Sequence, residues 1–83
     1  MSRVQHRVII GVMKETLRFN FGKQIKTFRL KLKMTQEELA ALAQIDYKYL
    51  QKIEGKTPPN VSLKTIERLA VALKTTPQEL FDF

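Results

Sequence analysis

The sequence predicts an all-α chain, a compact bundle of five short helices behind an irregular or short-strand N-terminal arm. Three observations carry this expectation. From Met13 onward, apolar residues recur at steps of three and four, the spacing of one helix face. Thr35, Asp46, Ser62 and Thr76 each stand just before an apolar-periodic run, where a side-chain oxygen can cap a helix amino end. Runs of β-branched residues, the usual mark of strands, are confined to the first twelve positions.

Residues 1–12 contain Val4, Val8, Ile9, Ile10 and Val12, interrupted by Gly11, and read as a flexible arm or a short edge strand ahead of a domain over 13–83. Met13, Leu17, Phe21, Ile25, Phe28 and Leu32 then form one helical stripe. The first helix begins at Met13, or at about Asn20 if that residue caps it, and ends near Leu32. Thr35 with Glu38 three positions on is a capping box, opening a second helix with Leu39, Ala40, Leu42 and Ala43 as its apolar face. Asp46 caps a third helix, Tyr47 to Glu54, closed by Gly55. The prolines of Lys56-Thr57-Pro58-Pro59-Asn60 make a loop. Ser62 caps a fourth helix whose inner stripe is Leu63, Ile66, Leu69, Ala70 and Leu73. Thr76 caps a fifth, with Pro77 at its first position and Leu80 and Phe81 as its apolar residues.

At 83 residues this is one domain, with a hydrophobic fraction of 43% that suits a globular core. It has no cysteine to form a disulfide or a thiolate metal site, so stability must come from packing, helped by a second subunit. That absence fits the cytoplasm. The apolar run Val8–Met13 is far short of the roughly 20 residues that span a bilayer, and Lys14 and Glu15 stand where a signal peptide would place small residues.

The net charge of +7 is unevenly spread: up to Met34, nine basic residues face Glu15 alone, and beyond it six face seven acids. A basic end on a nearly neutral body suits a polyanion, nucleic acid or an acidic membrane surface, and suits plain solubility equally. The third helix narrows the choice. At 100° per residue Leu50 and Ile53 face inward, while Lys48 and Lys52 lie nearly opposite, with Gln51 beside them and Tyr47 and Tyr49 on the flanks. An ordinary solvated face would look similar. A helix held across its predecessor by a tight turn, projecting its amino end, is however the geometry that enters a major groove.

FGKQIKTFR, MTQEELA, IDYKYLQKIEG, SLKTIERLAVAL and TPQELF follow one another at the spacing of a known pattern. From about Phe21 to Phe81 the chain resembles the Cro/repressor-type (XRE-like) helix-turn-helix family of bacterial and phage DNA-binding proteins. The resemblance implies a lambda-repressor-like bundle with its motif at 35–55, Ala40 at the crossing of the two helices, and Leu50 and Ile53 in the core. It puts Tyr47, Lys48, Gln51 and Lys52 at base edges and Thr35, Gln36, Tyr49 and Lys56 at phosphates. Arg29 and Glu54 fall at the positions of an internal ion pair. The family favours glycine where this chain has Lys33 and Gln44, so those turns are expected to be strained or differently shaped.

The implied function is a sequence-specific double-stranded DNA-binding transcriptional regulator, repressor-like, acting as a homodimer on a near-palindromic site. One recognition helix reads only a few base pairs, and Phe81 and Phe83 are the residues available for pairing. The alternative is a protein-interaction module of the same fold, an antitoxin or bridging factor, whose apolar surface would use Val8, Ile9 and Ile10 with Phe81 and Phe83. Catalysis is not expected: His6 is the only histidine, Glu37 and Glu38 suit a helix amino end, and no phosphate loop or metal-ligand spacing occurs. No cofactor, small-molecule ligand or membrane partner is called for.

Overall fold

A computed structural model describes the backbone from Arg3 to Phe83 and the side chains from Thr16 onward. It contains α1 (Arg3–Lys31), α2 (Gln36–Ala43), α3 (Tyr47–Ile53), α4 (Leu63–Ala72) and α5 (Pro77–Leu80). There is no strand among the described residues.

Each later helix starts where its cap predicts. Thr35 and Glu38 form the reciprocal box, with Thr35 Oγ1 accepting from the Glu38 amide at 3.0 Å and Glu38 Oε1 from the Thr35 amide at 2.8 Å. Asp46 accepts from the Lys48 amide, Ser62 from Thr65 and Thr76 from Glu79. These bonds span two or three residues, which is why a short window of sequence is enough to predict them.

The helix ends repeat one device. Lys33, Gln44 and Lys74 have φ of 56°, 57° and 57°. At each, the next residue's amide reaches back to a carbonyl five positions earlier: Met34 to Arg29, Ile45 to Ala40 and Thr75 to Ala70. Three Schellman motifs thus close α1, α2 and α4 without glycine at the left-handed position. Met34 and Ile45 pack against the core just beyond, which offsets part of the strain. The turns at Lys33 and Gln44 therefore keep the left-handed form, and Lys74 adds a third that nothing in the sequence marked.

Helix α2 packs on α3 and α4, α4 on α5, and α1 on α3 and α5. The core they enclose joins Phe21 and Ile25 to Leu39, Leu50, Ile53, Leu69 and Leu80, with Ala40, Ala43 and Ala70 where helices approach closely. Gln24 ties α1 to the other end of the chain, its amide donating to the Glu79 and Asp82 carbonyls at 3.1 Å each.

Several expectations need correction. The first helix starts at Arg3, not at Met13 or Asn20, so residues 3–12 are helical and not an irregular arm or strand. β-Branched residues cost a helix only some tenths of a kcal/mol each, and adding turns to an existing helix is cheap. A helix of 29 residues is about 44 Å long and matches the 44 Å long axis of the molecule, which is about 22 Å across. Leu17 lies on the predicted stripe but is 47% exposed, on the wall of an open apolar groove that it lines with Val61, Ile66 and Phe81. Leu32 falls in the turn after α1, and Leu42 and Leu63 are also exposed. Leu42 sits to one side of the Leu39–Ala43 face, and Leu63 is in a first turn that no helix covers. α3 ends at Ile53 with Glu54 as its C-cap, and Gly55 does not adopt a positive φ.

Candidate nucleic-acid interface

The second and third helices are held by a shared polar joint. Arg29, on the last turn of α1, is 7% exposed. Its Nε donates to Glu54 Oε2 at 2.9 Å, its Nη2 to Glu54 Oε1 at 2.8 Å, and its Nη1 to the Met34 carbonyl at 2.9 Å. Gln36 Nε2, at the start of α2, donates to the same Glu54 Oε1 at 3.1 Å. One carboxylate at the end of α3 therefore joins three elements, and no buried side-chain polar atom among the described residues lacks a partner. A bidentate fork constrains angle as well as distance, so the joint fixes how α3 is presented.

A close approach fixes its depth. A Cβ at Gly22 would overlap the Ile53 carbonyl oxygen, so α1 and the end of α3 meet backbone to backbone. Sequence reading passed over Gly22, although an isolated glycine inside a helical stripe is itself a signal of close contact.

The opposite face of α3 is open. Tyr47, Lys48, Gln51 and Lys52 are all exposed, and Gln51 Nε2 donates to the Tyr47 hydroxyl at 3.1 Å. The joint holds the only ion pair among the described residues, so neither lysine is neutralised by a carboxylate there. Asp46, two residues before Lys48, accepts the capping bond from the Lys48 amide. This face offers cationic donors, an amide and an aromatic edge, a set suited to purine N7 and O6 atoms and thymine methyls.

The expected phosphate contacts are placed less uniformly. Thr35 is exposed and holds its cap, leaving its hydroxyl proton to donate outward. Gln36 is half-buried and turned toward Glu54. Tyr49 is half-buried against the core, its hydroxyl donating to the Asn60 carbonyl at 3.3 Å. Lys56 is exposed on the loop beyond α3. At the far end Phe81 stacks on Phe21 with centroids 4.8 Å apart, and Phe83 lies 6.3 Å from Phe81 and is 55% exposed.

Comparison with known proteins bears directly on this arrangement. The helix-turn-helix family model matches residues 25–80, from the last turns of α1 to the end of α5. The chain belongs to this family. It is a DNA-binding helix-turn-helix of the XRE type. The chain is 39% identical over 72 residues to control protein C.BamHI of Bacillus amyloliquefaciens, covering 86% of this chain and 88% of that protein. Among solved structures it is similar to the restriction-modification controller protein C.AhdI from Aeromonas hydrophila, with a TM-score of 0.72 and 38% identity over 76% of this chain and 94% of that one. It is also similar to the hypothetical transcription factor NHTF from Neisseria, with a TM-score of 0.73 and 32% identity over 78% and 74% of the two chains. Among the described residues no helix is long and apolar enough to cross a membrane, and no cluster could hold a metal ion.

Proposed function

We infer that this chain is a sequence-specific regulator of transcription that reads double-stranded DNA through the outward face of α3. The observation that carries the reading is the contrast between the two sides of that helix. Behind it, every charge is neutralised and the backbone is clamped; in front, Lys48 and Lys52 stand exposed with no carboxylate partner among the described residues. Tyr47, Lys48, Gln51 and Lys52 are assigned to base edges, and Thr35, Gln36 and Lys56 to phosphates. Tyr49, also expected at a phosphate, gives its one hydroxyl proton to the Asn60 carbonyl and would have to release that bond to donate to DNA. Gln36 fills its role while its amide also steadies Glu54.

The protein acts in the cytoplasm as a repressor-like homodimer. Phe81 and Phe83 supply the pairing surface, beside an apolar groove of about 210 Å³ that includes Leu17, Val61 and Ile66. An isologous contact there sets two α3 helices about 34 Å apart on a near-palindromic site. By likeness to the restriction-modification controller protein C.AhdI, the regulated genes are those of a restriction-modification system.

Selection of bound sites from random duplex DNA tests the reading, and should return one palindromic consensus. Lys48→Ala and Lys52→Ala should each cost about 1–3 kcal/mol on that consensus and less on random duplex. Equal losses on both would make these lysines phosphate anchors, not readers of sequence.

A further inference from the structure

The family match begins at residue 25, yet a cation earlier on α1 is built into a defined site. Arg18 reaches toward the loop between α3 and α4, where it lines a cleft of about 240 Å³ with Lys56, Thr57 and Pro58. Its Nη1 donates to Asn60 Oδ1 at 2.7 Å. The Asn60 carbonyl in turn accepts from the Tyr49 hydroxyl at 3.3 Å. Arg18 is thus held by a neutral amide, so its position is fixed while its charge is kept. A guanidinium has five N–H donors, and Asn60 occupies one of them. Lys56 brings a second cation to the cleft and Thr57 a hydroxyl, and among the described residues no acid lines it.

We propose that this cleft is a phosphate site, and that on DNA it takes a backbone phosphate outside the contacts made by the reading face of α3. The proposal rests on the DNA-binding reading above and extends its footprint to a residue that the helix-turn-helix does not contain. The planar arginine fork matches two phosphate oxygens and the lysine adds a point charge. The location fits as well. Tyr49 and Lys52 are about 60° apart around α3, so the Asn60 bridge lies off the Lys52 edge of the reading face. A phosphate held by Arg18 is therefore tied through Asn60 and Tyr49 to the recognition helix, and sets its register along the groove.

The test measures binding of the full chain to the selected duplex and to a random duplex over a range of salt. Losing one phosphate contact lowers the slope of log Kobs against log salt by about 0.9. Arg18→Gln and Lys56→Gln should each do so on both duplexes, leaving the ratio between them unchanged. A single methylphosphonate at the contacted position should weaken the wild type and have no further effect on the double variant Arg18→Gln/Lys56→Gln, which has lost both cations of the cleft. If the wild type binds both duplexes and Arg18→Gln leaves the slope unchanged, the cleft proposal falls and the DNA reading stands. Inorganic phosphate that binds the wild type but not Arg18→Gln, together with that unchanged slope, would make the ligand a free anion and overturn the assignment to DNA. If the wild type binds no duplex, the functional reading fails and the proposal with it. A purely structural Arg18 would lower the melting temperature without moving the slope, which also overturns it.

Discussion

Removing the Glu54 carboxylate is the sharpest perturbation the structure offers. The side chains of Arg29 and Glu54 are 8% and 2% exposed. Glu54→Leu would leave the Arg29 guanidinium buried, still charged, and bonded only to the Met34 carbonyl. Breaking a buried pair from one side costs about 3–5 kcal/mol, since the stranded charge keeps its desolvation penalty. In a domain of this size 1 kcal/mol moves the melting temperature by about 4–8 °C, so a fall of at least about 12 °C is expected. Arg29→Met should be similarly harmful, because Glu54 would retain only the Gln36 amide. The double variant Arg29→Met/Glu54→Leu should recover most of the loss, since apolar replacements of a buried pair are often neutral or stabilising. Urea denaturation followed by far-UV circular dichroism, over the full double-mutant cycle, should then give a coupling energy of several kcal/mol. Single variants within about 1 kcal/mol of wild type, the range of exposed pairs, would refute the joint.

Gly22→Ala should destabilise by about 1–3 kcal/mol, because the new methyl meets the Ile53 backbone carbonyl and outweighs the better helix propensity of alanine; a higher denaturation midpoint would contradict the close approach. Gln44→Gly should stabilise by about 0.5–1 kcal/mol by removing a Cβ from the left-handed turn, and a lower midpoint in urea would show the turn to be unstrained. Phe83→Asp should give a folded monomer with weak, non-cooperative DNA binding, and a variant that still sediments as a dimer would move the interface elsewhere. Phe81→Asp should lose fold stability as well, because its ring already stacks on Phe21.

What the sequence made legible was local. The caps at Thr35, Asp46, Ser62 and Thr76 are bonds across two or three residues, and the inward faces of α3 and α4 follow from angular spacing. Spacing indicates which side of a helix is apolar but not how far its partners extend, and for that reason Leu17 and Leu63 were assigned to a core that does not cover them. The contacts that tune the site were hidden for a different reason. Gln36 and Glu54 are 18 positions apart, and Arg18 and Asn60 are 42 apart. No periodicity within one element shows that a glutamine at one helix start and a glutamate at another's end share an oxygen. The resemblance supplied Arg29 and Glu54 as a pair; Gln36 is its third member only in the folded structure.

The uneven charge of the chain acquires a mechanical sense from this arrangement. The field of α1, which carries Arg18, Lys23 and Lys26, draws a duplex from beyond contact range regardless of sequence, although salt screens it over about 8–10 Å. Such attraction raises affinity for every DNA equally and so adds nothing to selectivity. Selectivity depends on few contacts held at a fixed angle, and α3 has only Lys48 and Lys52 as cations on its face. More cations there would strengthen binding to the wrong sites along with the right one. Under the proposed function, attraction placed on α1 and discrimination placed on α3 separate the two tasks, provided that α3 cannot tilt to satisfy a poor site. The Gly22 contact and the Arg29–Glu54–Gln36 joint prevent that tilt at the helix's carboxyl end. The left-handed turn at Gln44 and the Asp46 cap do the same at its amino end. If α3 reads DNA as proposed, a mismatched base pair then costs a broken contact instead of a small rotation, and two lysines with their neighbours suffice to separate one site from many.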